Sequence, residues 1–344
     1  MPEVLGAQSA AVFARNGTMD ATLGDMMIHS GSPLSRRQFV QSTGLAAGAL
    51  FAFSRFAFAA PKNAIVESAL REAATSEATV RSLRRSVSVL EGVGGNILVL
   101  PGPDGKVLID AGLAPSQGTI KRALARISAD PLKHLINTHW HFDHTGGNPW
   151  VGAEGATIVA HENTRKRMAK ATRVEDWDFT FPPAEKAALP TVLVSQQRVM
   201  NLNAATLRLE HYAPAHTDTD LSVHFEEADI FHTGDIWWNG DYPFLDYSTG
   251  GSIDGTIAAA QATLAKVSAA TVIVPGHGPV GDRSKLIEYI AVLTEIREKI
   301  AALKKRGMQV ADVVAAKPTA SHDAKWANFL IDGDLFTKLV YEGV

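Results

Sequence analysis

Cysteine is missing from all 344 residues. Its absence excludes disulfide bridges, thiolate metal ligands and a cysteine nucleophile. A strong excess of one charge sign is missing too: 33 Lys and Arg stand against 36 Asp and Glu, a formal net charge of −3. No basic stripe and no aromatic stacking platform can be found, which argues against nucleic acid as a partner. Long hydrophobic runs are also scarce. The apolar run at residues 44–53 is short and Arg55 follows it, so no stable membrane span is expected in the mature protein. What remains is a globular composition, 46% hydrophobic and 20% charged, with ample core material.

Ser35-Arg36-Arg37-Gln38-Phe39-Val40 forms a twin-arginine pattern, and Ala57-Phe58-Ala59 supplies the small residues that a signal peptidase needs. Residues 1–59 are therefore expected to be a twin-arginine signal peptide, with a long leading region and an uncertain start among Met1, Met19, Met26 and Met27. The export machinery would be a partner, and the location periplasmic or secreted. That route carries folded proteins, which suits an enzyme that takes up metal before export.

From residue 60 the patterning alternates. Residues 63–85 read as a polar, partly helical lead-in, and 87–90, 96–100 and 106–110 as short strands between Gly-rich turns. Ile120, Leu124 and Ile127 recur at helical spacing over residues 116–129. Residues 134–138 read as a strand, 162–171 as a helix and 172–190 as a long loop with no period. Further strands are expected at 206–211, 221–225, 229–232 and 271–274, and a helix at 253–267. Leu286, Ile290, Leu293, Ile296, Ile300 and Leu303 mark a final helix that Gly307 closes. The pattern fits an α+β fold, two sheets packed together with helices outside. We expect one domain over 60–284 and a helical C-terminal extension, 285–344, packed on it.

The stretch Thr138-His139-Trp140-His141-Phe142-Asp143-His144 places three imidazoles and a carboxylate within six positions at a strand end. Such a set is hard to bury without a cation, and neutral imidazole with carboxylate binds Zn²⁺ and similar ions well. Asp110, His216, Asp235 and His277 also stand where a strand gives way to a loop, beside Gly or Pro. Five further histidines, His134, His161, His211, His224 and His232, read as ordinary structural residues. Asp218 and Asp220 read as turn caps.

HxHxDH, then His216, then Thr233-Gly234-Asp235, then Gly276-His277-Gly278, resembles the metallo-β-lactamase-fold hydrolases, in their order and over roughly residues 90–280. The resemblance implies a four-layer αβ/βα sandwich and a two-metal centre. It implies that His139, His141 and His216 hold one ion, that Asp143, His144 and His277 hold the other, and that Asp235 bridges them. Asp110 would brace the loop without binding metal. Two divalent ions, Zn²⁺ before Fe or Mn, would make a hydroxide at neutral pH that attacks an ester, thioester, lactone or amide-like bond of a small molecule. Asp143 would also be catalytic, by orienting that nucleophile. Asp235 in place of a bridging Cys is similar to the glyoxalase II and lactonase branches, with β-lactam turnover as a side activity at most.

Trp237, Trp238, Tyr242 and Phe244 follow Asp235 closely and are expected to wall the substrate site. Trp140 is expected to pack outward, and Trp177 with Phe179 to form a flap. Two rival readings stay open, a mononuclear iron enzyme that handles oxygen or sulfur on the same fold, and a periplasmic metal-binding or relay protein without turnover.

Overall fold

The computed structural model describes residues 64–212 and 214–344. The expectations for the signal peptide, and for a domain beginning at residue 60, lie outside the described residues. A first helix, α1 (Ala64–Ala73), leads into strands β1 (Thr79–Ser82), β2 (Ser88–Glu91), β3 (Ile97–Leu100) and β4 (Lys106–Ile109). Helix α2 (Gln117–Ile127) then connects to β5 (Leu132–Ile136), and β6 (Thr157–His161) follows. The region expected to be a structureless loop instead holds a small antiparallel ribbon, β7 (Thr172–Val174) and β8 (Phe179–Phe181). Three-residue strands carry no readable period, and the ribbon is held by packing of Trp177, Phe179 and Phe181. Strand β9 (Val192–Val194) closes the first sheet, in the order β1-β2-β3-β4-β5-β6-β9.

The second sheet runs β10 (Gln197–Leu202), β11 (Ala205–His211), β12 (Leu221–Phe225), β13 (Ile230–His232) and β14 (Val272–Val274) in sequence order. Strand β3 is buried on two faces, so it reads as a continuous apolar run. In β3 the pleat sends Leu98 and Leu100 into the core between the sheets, with Leu207, Leu209, Val223 and Phe225 opposite. Ile97 and Val99 turn to the outer face, against Ile120 and Leu124 of α2. On the far side, Phe231 and Ile273 of the second sheet meet the helices Ile253–Lys266 and Arg283–Lys305. Helix, sheet, sheet, helix is the expected four-layer α+β sandwich.

The long helix Arg283–Lys305 is capped by the Asp282 carboxylate, which accepts from the Ser284 and Lys285 N–H groups. Gly307, at φ +82°, ends it as the sequence predicts, with Met308 N–H bonding back to the Leu303 carbonyl. Helices Val310–Ala315, Ala320–Trp326 and Gly333–Gly343 complete the layer and share its core. No helix among the described residues is long and apolar enough to cross a membrane.

Strand direction positions the functional residues. β4 and β5 are parallel, and so are β13 and β14. Each pair therefore delivers its C-terminal ends to one edge of its sheet. The two edges are tied there by Asn96, whose N–H donates to the Gly276 carbonyl at 2.8 Å and whose side-chain amide donates to the Pro275 carbonyl at 2.9 Å.

Candidate metal centre

Asp110 ends β4 in the left-handed region, φ +66°, a conformation that costs a non-glycine residue energy. Its fully buried carboxylate accepts the Thr138 N–H and hydroxyl, both at 2.7 Å, and faces His144 Nδ1 at 2.8 Å. One acid thus fixes both ends of the His-rich loop after β5. From that loop His139, His141 and His144 enter the cluster, all buried, and Asp143 enters with 17% of its side chain exposed. His216 comes from the turn between β11 and β12, Asp235 from the turn after β13 and His277 from the turn after β14.

The seven expected side chains meet in two groups. His139, His141, His216 and Asp235 offer ligand atoms within 4.8 Å of one another, as do Asp143, His144 and His277. Asp235 joins them. One of its oxygens lies 3.1 Å from His144 Nε2, and the other lies 3.4 Å from His216 Nε2 and 3.5 Å from His277 Nε2. Asp143 lies 3.0 Å from His277 Nε2.

Hydrogen bonds outside the cluster decide which nitrogen each ring turns inward. His216 Nδ1 donates to the Phe244 carbonyl at 2.8 Å, so Nε2 carries the lone pair. His141 Nε2 donates to Asp246 at 2.9 Å, so its Nδ1 does. Those two lone pairs face each other at 2.8 Å, a repulsive arrangement unless a cation lies between them. Thr138 gives its hydroxyl proton to Asp110 and can accept from His139 Nδ1 at 3.1 Å. His139 Nε2 and Asp235 Oδ1 are buried without a hydrogen-bond partner. The donor set, nitrogens and carboxylate oxygens with no thiolate, fits borderline or hard divalent cations. The residues therefore fit a metal.

Electrostatics agree. Burial lowers the pKa of His139 and His216, so both stay neutral and ready to bind. Burial alone would raise Asp235, but the surrounding imidazoles, His144 first, hold it well below the usual carboxylate range. Asp143 is likewise raised by burial yet drawn down to about 2 by His144 and His277. Against burial, Asp235 and Asp143 raise His144 well above its ordinary value and His277 to about 9. The cluster calls for positive charge, which protons supply where no metal does.

Two glycines make room. A Cβ on Gly276 would stand 1.9 Å from an Asp235 oxygen, and one on Gly95 would stand 2.1 Å from the His144 ring.

The expected aromatic wall is corrected. Trp237, Trp238, Tyr242 and Phe244 are all buried. Tyr242 stacks on Phe336 at 4.5 Å and donates to Asp323, well inside the helical layer. Trp237 lies under Gly281, and Phe244 packs behind His141 and His216. These rings fill the space between cluster and helices, and Trp238 packs against His277 at 4.5 Å. Trp140 points inward and not outward: it is buried and donates to Thr249 Oγ1 at 3.1 Å. Trp177 does lie by the cluster, 4.9 Å from His141, with Phe142 and Phe181.

The other histidines among the described residues stay out of the cluster. His232 is held between the Asn96 carbonyl and the Gly234 N–H. Asp220 caps its turn through Thr217 at 2.9 and 2.7 Å, and burial raises its pKa to about 6. Asp218 pairs with Arg167 at 2.7 Å, more than a turn cap. Asp246 was missed as a site residue, since nothing in the sequence links it to His141 before folding.

The model of the family described as Metallo-beta-lactamase superfamily matches residues 90–277. A hydroxyacylglutathione hydrolase from Polaromonas sp. is 27% identical over 159 residues, 45% of this chain and 52% of that protein. An acyl-coenzyme A thioesterase from Gallus gallus is 26% identical over 205 residues, 53% of this chain and 72% of that protein. The chain thus spans about half the length of the first and under three quarters of the second. A sec-alkylsulfatase from Pseudomonas sp. superposes with a TM-score of 0.61 at 15% identity, over 77% of this chain and 50% of that one, a likeness of fold alone.

Proposed function

Because the chain belongs to the metallo-beta-lactamase superfamily, we propose that its cluster is the centre of an exported hydrolase holding two divalent ions. At the coarser level the protein is a metallo-hydrolase of the β-lactamase type with a possible metal site. The proposal adds the number of ions, the bond cleaved and the compartment. One ion would sit on His139, His141 and His216, the other on Asp143, His144 and His277, with Asp235 between. When bound, such ions lower the pKa of water and polarise a carbonyl oxygen, supplying nucleophile and electrophile together. The carrying observation is the pair of imidazole lone pairs facing each other at 2.8 Å, His141 Nδ1 and His216 Nε2. Four carboxylates, Asp110, Asp143, Asp235 and Asp246, gather around five imidazoles, and two dications match their combined charge.

The chain's own groups do the rest. Asp143 is the most exposed of the seven, with 17% of its side chain open to solvent against 7% for His277. It is placed to accept a hydrogen bond from the attacking water and orient it. Asp110 and Asp246 hold their histidines in the binding tautomer. The names of the relatives support an acyl substrate, thioester before ester, lactone or amide-like bond. The twin-arginine pattern supports a periplasmic or secreted location.

The test is a panel of acyl thioesters, esters, lactones and β-lactams, run with His141→Ala as control, together with metal analysis. Turnover of thioesters that the variant lowers by about 10³-fold or more supports the reading. Wild type and variant scoring alike would refute it, and a single iron with oxygen uptake would replace it with an iron enzyme.

A further inference from the structure

Two large apolar side chains near the C-terminus stand in water. Phe329 is 50% exposed and Leu330 40%, in the segment between the helices Ala320–Trp326 and Gly333–Gly343. Exposing two adjacent apolar groups costs solvation that a chain avoids easily, and a polar residue would serve as well in a plain connector. The segment is pinned at both ends. Trp326 and Ile331 are buried, the Trp326 carbonyl accepts from Tyr242 N–H at 2.9 Å, and Asp332 caps the last helix through Leu335 N–H at 2.8 Å. Phe329 and Leu330 are thus presented from a fixed frame.

Phe329 is presented at the cluster. The Phe329 ring lies 5.6 Å from the His277 ring and 5.7 Å from that of Trp238, which itself packs on His277. The half-buried Phe142, between two ligands of the His-rich loop, packs with Phe181 of β8 at 5.4 Å. The cation nearest Phe329 in sequence, Lys325, is held by Glu288. An apolar group therefore meets the centre at Phe329.

Resting on the hydrolase reading, we infer that Phe329, seated on Trp238, is the specificity-determining contact for the acyl part of the substrate. The enzyme then favours extended or aromatic apolar acyl groups over acetyl. Each methylene laid on such a surface is worth up to about fourfold in affinity when fully buried, less when covered on one side.

The experiment compares wild type, Phe329→Ala and Phe329→Leu. Hydrolysis of p-nitrophenyl acetate, butyrate and octanoate gives kcat/KM across chain length. In parallel, tryptophan fluorescence follows binding of two inert ketones, 2-pentanone and 2-decanone, to metal-free and metal-loaded protein. The inference expects octanoate preferred over acetate and 2-decanone bound more tightly than 2-pentanone. Phe329→Ala should lower both preferences about tenfold, and Phe329→Leu should restore most of the effect. If Phe329→Ala keeps the wild-type length profile, or lowers every substrate equally, the inference is overturned while the hydrolase reading stands. If no ester is hydrolysed but ketone affinity still depends on length and on Phe329, the contact stands, and the hydrolase reading is decided by the thioester, lactone and β-lactam panel. Length-independent ketone binding overturns the contact whatever the turnover.

Discussion

At the scale of single residues, tautomers carry much of the account. His141 turns Nδ1 inward because Asp246 holds its Nε2, and Asp246 is held in turn by the Thr249 hydroxyl at 2.5 Å and backbone N–H at 3.2 Å. Asp246→Ala frees the ring to turn, and we expect metal affinity to fall about 10–100-fold, read by competition with a chromophoric chelator. Asp246→Asn, which still accepts through its amide oxygen, should lose less. Equal affinity in Asp246→Ala and wild type would remove Asp246 from the account. A second expectation concerns acid. His161 and His211 stack at 3.7 Å, and burial lowers both pKa values, that of His161 to about 4 with His211 adding to the effect. Above the ordinary value of 6.5 both rings are neutral folded or unfolded, and pH has no hold on them. Below it the unfolded chain takes up protons that the folded one refuses, so stability falls as pH drops from about 6.5 toward 4. His161→Asn keeps an acceptor for the Asn163 N–H and removes the titration. Its urea midpoint should fall less than that of wild type over this window in metal-free protein; parallel falls would contradict the assignment.

At the scale of elements, close approach matters more than propensity. Gly276 and Gly95 leave no space for a Cβ beside Asp235 and His144. Gly276→Ala should push the Asp235 carboxylate aside, costing at least about tenfold in metal affinity and several degrees in melting temperature. Gly118 of α2, whose nearest neighbour is the Arg122 side chain at 3.4 Å, is the control. There Ala should be neutral or stabilise by up to about 1 kcal/mol. Isothermal metal titration and thermal melts of the three proteins decide it. This scale also shows where the sequence could be read. Strands such as β12 and helices such as Ile253–Lys266 and Arg283–Lys305 are long or strongly periodic, and their bounds lie close to those expected. β6 and the ribbon of β7 and β8 were not legible, because they are three to five residues long and too short to carry a readable period. The metal-binding residue types showed through because each stands at a strand end beside a turn. The aromatic residues after Asp235 misled, because a ring beside a site packs the core as readily as it faces a cleft, and only burial tells the two apart.

For the whole molecule, the cluster links sheet to sheet. Its residues come from the edges of both sheets and close only when these are packed, so metal binds the folded chain far better than the unfolded one. At a thousandfold excess over Kd that linkage adds about 4 kcal/mol, so stripping with chelator should lower the melting temperature by several degrees, reversibly on readdition of Zn²⁺. No change on stripping would mean that the two edges close without an ion. The most direct test of the centre is elemental analysis of purified protein dialysed free of loose metal, beside His216→Ala and Asp143→Ala. The account predicts about two divalent ions per chain in wild type and fewer in each variant. Wild type holding none after loading, or holding the same number as both variants, would contradict it.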